Sequence, residues 1–276
     1  MAKIINPSQQ FALQQKIARK SIREYQPKIK AVLQKDFDKA ATLVAKLGAQ
    51  QTVNNRQSLF DSQSINNILR NLYENVGGYT AMRYQKIFDK YKKEESIDFD
   101  PLNISDEWLA FMLSYWTAIS GTKMYGIENT TETEIARIIN NALRYGQENG
   151  LTERQINEMA ISQLREGKIN NSRSLLIART ESHQALSTGA FAPTKYSVVP
   201  LLKQWVHSEY MGSPRLWHLD LDRQTNPDYN GTRILVDQPF MVNTPNLGVI
   251  QMQYAHDASG GAINNCNCRC CTVYIA

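Results

Sequence analysis

No stretch of these 276 residues approaches the roughly 20 consecutive apolar residues that a membrane-spanning helix needs. The nearest candidate, Trp108 to Ile119, is too short and contains Ser114 and Tyr115. The opening MAKIINPSQQ lacks the apolar core and cleavage site of a signal peptide, so synthesis in the cytosol is expected. Cysteine is scarce, with four in the whole chain. In a reducing compartment such cysteines are expected as thiols or metal ligands rather than structural disulfides. There is no Gly-rich phosphate loop, no HExxH and no serine nucleophile in an elbow context, which removes the commonest nucleotide-binding, metalloprotease and hydrolase readings. No internal repeat or low-complexity tract is present. What remains, 42% hydrophobic and 21% charged residues, is an ordinary soluble composition, long enough for one large domain or two modest ones.

The net charge of +5 is concentrated at one end. Residues 1 to 46 carry ten Lys and Arg against Glu24, Asp36 and Asp38, a local +7 that leaves −2 for the rest. Lys16, Arg19, Lys20, Arg23, Lys28 and Lys30 form a basic helical arm whose two readings are a non-specific nucleic-acid footprint and a plain solvated face.

Helical periodicity dominates up to about residue 190. Pro27 is expected to bend or restart the first helix, after which Ile29, Leu33, Phe37, Ala40, Val44 and Leu47 repeat at helical spacing as far as Gly48. Gln50 to Gln57 reads as a polar connection, and Ser62 or Ser64 opens a second helical run that Gly77-Gly78 interrupts, as a break or a close helix contact. Asp98 to Ser105, with Pro101, reads as a loop, and Ser105 as the cap of a helix with a core stripe of Trp108, Met112 and Trp116. Thr131-Glu134 and Thr152-Gln155 read as two capping boxes, each opening a helix. A further helix from Asn170-Asn171 to Gly189 carries Arg179, Glu181 and His183.

From Tyr196 the composition changes to short β-prone runs: Tyr196 to Leu202, Trp205 to Ser208, Ile234 to Val236, Val249 to Tyr254 and Thr272 to Ile275. Asn230-Gly231 is the sharpest turn signal, suited to closing a hairpin. The expected class is α+β: a long helical N-terminal part (1–129) with its basic arm, followed by a small, mixed, mostly antiparallel α+β domain (130–276).

All four cysteines and three of four histidines fall in the last quarter of the chain. Thiolates of Cys266, Cys268 and Cys270 with one imidazole, His218 or His256, would complete a tetrahedral zinc site. The other readings are a reduced, buried thiol cluster, or disulfides formed only after cell lysis; Cys-x-Cys is a tighter chelate than the Cys-x-x-Cys of zinc ribbons. Arg215 and His218 invite a nuclease reading, with His as base and Arg against phosphate, but no acidic metal triad accompanies them. Asp220 and Asp222 alternate, so on a strand they would point to one side. A network that stabilises a turn is the reading preferred over chemistry for Arg215, His218, Asp220 and Asp222, and Arg179, Glu181 and His183 are read as tying a helix to the following sheet. Trp205 and Trp217 are read as core.

In order, Ile177 to Glu181 (IARTE), Lys203 and Trp205, Arg215 and His218 with Leu219 to Asp222, Phe240, a Gly-Gly turn and Asn265 to Cys270 resemble the Mu F-like head morphogenesis family of tailed phages. The resemblance spans about residues 130 to 271. The chain departs from the family in having Ala255-His256-Asp257 where a Pro-Gly-Asp turn is usual, and in placing Glu209 as the nearest acidic residue ahead of the Arg-x-x-His step. The resemblance implies a non-enzymatic minor capsid protein, made in the bacterial host cytoplasm and built into the phage head near the portal. Its partners would be the portal protein, other capsid proteins and packaged DNA, with no membrane. The alternative class is a metal-dependent nuclease or toxin-like enzyme working through the Cys/His cluster.

Overall fold

The computed structural model describes residues 6–55, 60–90, 105–166, 168–208 and 215–276. The loop expected at Asp98 to Ser105 and the acidic residue Glu209 lie outside them, apart from Ser105 itself. The fold is α+β, as expected: long helices followed by a small antiparallel β region. In chain order the helices are α1 (Pro7–Leu47), α2 (Ala49–Asn54), α3 (Ser62–Leu72), α4 (Gly78–Lys90), α5 (Asp106–Glu148), α6 (Glu153–Arg165), α7 (Lys168–Phe191), α8 (Leu216–Thr225) and α9 (Gly261–Asn265). The strands are β1 (Leu202–Val206), β2 (Ile234–Leu235), β3 (Phe240–Thr244), β4 (Gly248–Met252) and β5 (Cys271–Ile275). Among the described residues no helix is long and apolar enough to cross a membrane.

The chain forms two compact units, and neither follows the division expected at 129/130. One gathers residues 1–23, 70–116 and 179–276; the other gathers 24–69 and 117–178. Residue 129 falls inside α5, which runs unbroken from Asp106 to Glu148. Thr131 is therefore not a cap. It is buried mid-helix, its hydroxyl donates back to the Ile127 carbonyl (2.7 Å), and Arg173 donates to that same hydroxyl (2.9 Å). A Thr with Glu three residues on reads as a cap only where the preceding backbone leaves the helix, and here it does not. Thr152-Gln155 is the true capping box of α6, with both reciprocal bonds made.

The helical unit owes its core to the apolar spacing of α1. Phe37, Ala40, Ala41 and Val44 meet Ile135, Ile138, Ile139 and Ala142 of α5 and Ile156, Ala160 and Leu164 of α6. Gly48, at φ 83°, ends α1, but the polar stretch after it contains the short helix α2 instead of an open connection. Pro27 sits within α1, which continues through it without restarting. The start of α3 is set by Asp61, whose carboxylate accepts the Ser64 N–H (3.0 Å).

In the other unit β1 is the centre of a three-stranded antiparallel sheet, β2-β1-β5, and β3 and β4 form a separate hairpin. The hairpin closes through Asn246 and Gly248, both at positive φ. Asn230-Gly231 instead ends the turn that follows α8, with the Gly231 N–H donating to the Asn226 carbonyl (2.9 Å). It closes no hairpin, because β2 pairs with β1 across the whole of α8. The free edge of β5 is covered by glutamines from the start of α1. Gln10 both donates to the Tyr274 carbonyl (2.6 Å) and accepts its N–H (3.0 Å), Gln14 donates to the Thr272 carbonyl (2.8 Å), and Gln15 to that of Arg269 (3.0 Å). Side-chain amides thus stand in for a neighbouring strand, which satisfies the edge and blocks further pairing. The first part of the N-terminal arm, as far as Arg23, is a structural part of this unit.

The Gly77-Gly78 signal resolves as a close contact. A π-helical turn, Tyr73–Gly77, joins α3 to α4 without a break. A side chain at Gly189 of α7 would stand 2.2 Å from the Gly77 carbonyl oxygen.

Candidate metal centre

α8 begins just after Arg215, and its buried positions His218, Leu221, Asp222 and Thr225 recur at helical spacing. This helix replaces the strand considered for Asp220 and Asp222, and it separates the two carboxylates. Asp220 is exposed beside Arg223 (3.9 Å). Asp222 is buried, accepts the His207 backbone N–H (3.2 Å) and the Asn226 amide (3.3 Å), and has its pKa raised by burial. It terminates a helix and orients a loop.

Around His218 the core is tight. Trp205 is fully buried on β1 and meets the imidazole edge-on at 5.0 Å and Phe240 of β3 at 5.3 Å. Trp217 is only half-buried, against the same cluster. Lys203, two residues before Trp205 on β1, donates to the Gln253 carbonyl (2.7 Å) and lies over the Phe240 ring at 4.7 Å. Burial lowers its pKa to about 8, against the pull of Asp237 and Asp257.

The Cys-x-Cys segment arrives from the other side, after α9. His218 Nδ1 lies 3.5 Å from Cys268 Sγ and 3.6 Å from Cys270 Sγ, and all three residues are buried to 3% exposure or less. Their three donor atoms lie within 4.8 Å of one another, the one such group of His, Cys, Asp or Glu among the described residues. The Cys270 backbone N–H donates to Cys268 Sγ (3.4 Å). The Cys268 thiol is held well below its usual range, first by a hydrogen bond from Cys270, whereas burial pushes the Cys270 thiol up. Such a pair gives up its first proton easily and its second with difficulty.

The remaining expected ligands stand apart from this trio. All four cysteines are free thiols. Cys266 is partly exposed at the end of α9, and its backbone carbonyl accepts a bond from Arg215 (2.6 Å). Cys271 is buried on β5, where its sulfur accepts from Gln15 (3.4 Å). His256 lies near enough to Cys268 to lower its pKa but falls outside the three-atom group. It stacks on His183 of α7 (ring centres 5.2 Å), which is kept neutral by burial, its pKa lowered to about 3. The backbone of His256 is left-handed (φ 68°), costly for any residue with a Cβ.

The other motif residues bond to neighbouring segments of the chain. Arg215 donates to the Ile263 carbonyl (2.7 Å) as well as to that of Cys266. Arg179 donates to the Asn267 side chain, and Thr180 Oγ1 accepts the Asn267 N–H (3.0 Å). Glu181 accepts from Tyr73 (2.8 Å). Two residues that carry the site give no signal in the sequence: Asn264, hidden in the N-N-C-N-C string, and Gln10, whose partner is 264 residues away.

On α1 the basic residues face away from β5. Lys16, Arg19, Lys20 and Arg23 are exposed, opposite the buried Gln10, Gln14, Ala18 and Ser21. Further along, Lys28 pairs with Glu24 (3.1 Å) and Lys30 is half-buried. Comparison with protein-family models, curated proteins and solved structures gives no match.

Proposed function

We propose that this chain is a minor head protein of a tailed phage or prophage. It acts in head morphogenesis near the portal, as a non-enzymatic assembly component in contact with packaged DNA. The observation that carries this reading is convergence. The segments that resemble the Mu F-like family are scattered along the chain, yet from Arg179 to Cys270 they lie in one compact unit. Within it, Trp205, Phe240, Cys268 and Cys270 share one core cluster, and Trp205 meets His218. Arg179, Glu181, Arg215 and Asp222 are each committed to a bond that joins segments of that unit. Side chains held this way support a scaffold role.

Two surface features suit assembly. The basic stripe of α1 can contact phosphates without reading bases. Met241, Leu247 and Val249 of the β3–β4 hairpin, with Leu216 of α8, are exposed apolar side chains fit for docking to a capsid partner. One observation favours the alternative, a metal-dependent nuclease or toxin-like enzyme: Arg215 and Arg269 border the same cavity as the His/Cys trio. Against it, Arg215 is occupied by two carbonyls and Asp220 is exposed beside Arg223.

Quantitative mass spectrometry of particles purified from an induced host is the test. A few copies of the chain per particle, and heads that fail to mature or deliver DNA when its gene is removed, are expected. Particles that lack the chain and remain fully infective without it refute the proposal.

A further inference from the structure

His218 has its tautomer fixed by the residues around it. The amide nitrogen of Asn264 donates to the Gly260 carbonyl (3.0 Å), which can only accept, so the amide oxygen is the atom 3.2 Å from His218 Nε2. The same oxygen accepts the indole N–H of Trp217 (2.8 Å), which can only donate. A carbonyl oxygen has no proton to give, so Nε2 carries a ring proton, and in the neutral ring Nδ1 keeps a bare lone pair. That lone pair faces two sulfurs at once, at 3.5 and 3.6 Å. The three donor atoms thus converge on one point, within 4.8 Å of one another, where a single ion can be held by all of them.

The distances fit a particular ion. With Zn–S near 2.3 Å and Zn–N near 2.0–2.1 Å, tetrahedral angles put a ligating nitrogen and sulfur about 3.6 Å apart. Both observed separations match. The three side chains also line a small cavity of about 10 Å³, enough for roughly one ion or water. Two thiolates and a neutral imidazole around a divalent cation sum to zero charge, which is what a buried site tolerates. The bond from Nε2–H to Asn264 is the outer partner that a metal-bound histidine normally has.

We propose that His218 Nδ1, Cys268 Sγ and Cys270 Sγ bind one Zn²⁺, with the fourth position turned to the cavity beside Ser208 and Arg215 and filled by solvent. Both sulfurs must be deprotonated to bind, so uptake weakens as pH falls. The ion joins α8 to the segment that leads into β5. Asn264 is a positioning residue that holds the ring and its tautomer, and Cys266 is not a ligand. This assignment stands whether or not the chain assembles into a phage head.

The experiment is elemental analysis of the full chain purified without chelator under reducing conditions. It is followed by removal of metal and titration with Zn²⁺ and, separately, with Co²⁺ as a spectroscopic probe. One zinc per chain is expected, together with tetrahedral d–d bands and sulfur-to-cobalt charge transfer in the wild-type protein. Cys268→Ser and His218→Gln should each weaken zinc binding at least 100-fold, and Cys266→Ser should leave the stoichiometry at one. Asn264→Ala should weaken binding roughly 10- to 100-fold, as outer partners of metal-bound histidine do. The cobalt spectrum of the unmutated chain keeps the test decisive if the variants fail to fold. Wild-type protein that holds no stoichiometric zinc as purified and takes up none on titration overturns the proposal; so does a cobalt spectrum without thiolate charge transfer.

Discussion

Replacing Asn264 with alanine removes the polar centre of the site while leaving its donors in place. The side chain is 1% exposed, and its amide serves the Gly260 carbonyl, Thr244, Trp217 and His218 together. Alanine leaves at least two groups without their partner, the His218 Nε2–H and the Trp217 indole N–H, while the Gly260 carbonyl keeps the backbone N–H of residue 264 in α9. An orphaned buried polar group costs about 1–3 kcal/mol, so the expected loss is roughly 2–6 kcal/mol. At about 2–4 °C per kcal/mol for a domain of this size, the melting transition should fall by roughly 4–24 °C. Thermal melts followed by near-UV circular dichroism suit the measurement, because Trp205 and Trp217 both touch His218. Asn243→Ala is the control: that residue is exposed on β3 and should change stability by no more than about 0.5 kcal/mol. An Asn264→Ala protein that melts within about 2 °C of wild type refutes the reasoning, since the amide would then hold nothing that water cannot.

Two glycines should respond with opposite signs. At Gly189 an added Cβ meets the Gly77 oxygen at 2.2 Å, its carbonyl carbon at 2.9 Å and its Cα at 3.0 Å, all backbone that cannot rotate away. Gly189→Ala should therefore cost about 1–3 kcal/mol or more. Gly126→Ala on α5 has nothing within 4 Å and should gain up to about 1 kcal/mol from helix propensity; urea titration of both variants checks the pair, and equal midpoints would contradict the close contact. Changing Lys16, Arg19, Lys20 and Arg23 together to Gln should weaken DNA binding equally for all sequences. Its log–log salt dependence should flatten by about 0.9 for each phosphate no longer neutralised. Unchanged binding by filter retention or fluorescence anisotropy would assign the stripe to solvation alone.

Features under local control are legible in the sequence without the fold. The apolar repeat from Ile29 to Val44, the stop at Gly48 and the capping box at Thr152 depend on residues within a turn or two of one another, and the structure keeps each in place. The clustering of cysteine and histidine near the C-terminus locates the site in outline, because few other roles gather those side chains. Where the same local pattern has two outcomes, tertiary packing chooses. Thr131-Glu134 has the letters of a cap but sits mid-helix, since α5 is already running when it reaches them. The Leu-Asp alternation from Leu219 to Asp222 matches a strand over four residues, but burial of His218, Leu221 and Thr225 requires a helix. Domain boundaries are unreadable because both units are assembled from segments far apart in the chain, and the glutamines that seal β5 act across more than 250 residues. Which sulfurs meet His218 is likewise a tertiary matter. Cys266, Cys268 and Cys270 are equivalent by spacing. The turn of α9 and the bond from Arg215 to the Cys266 carbonyl leave that residue at the edge, and the next two thiols of the alternating series arrive at the imidazole.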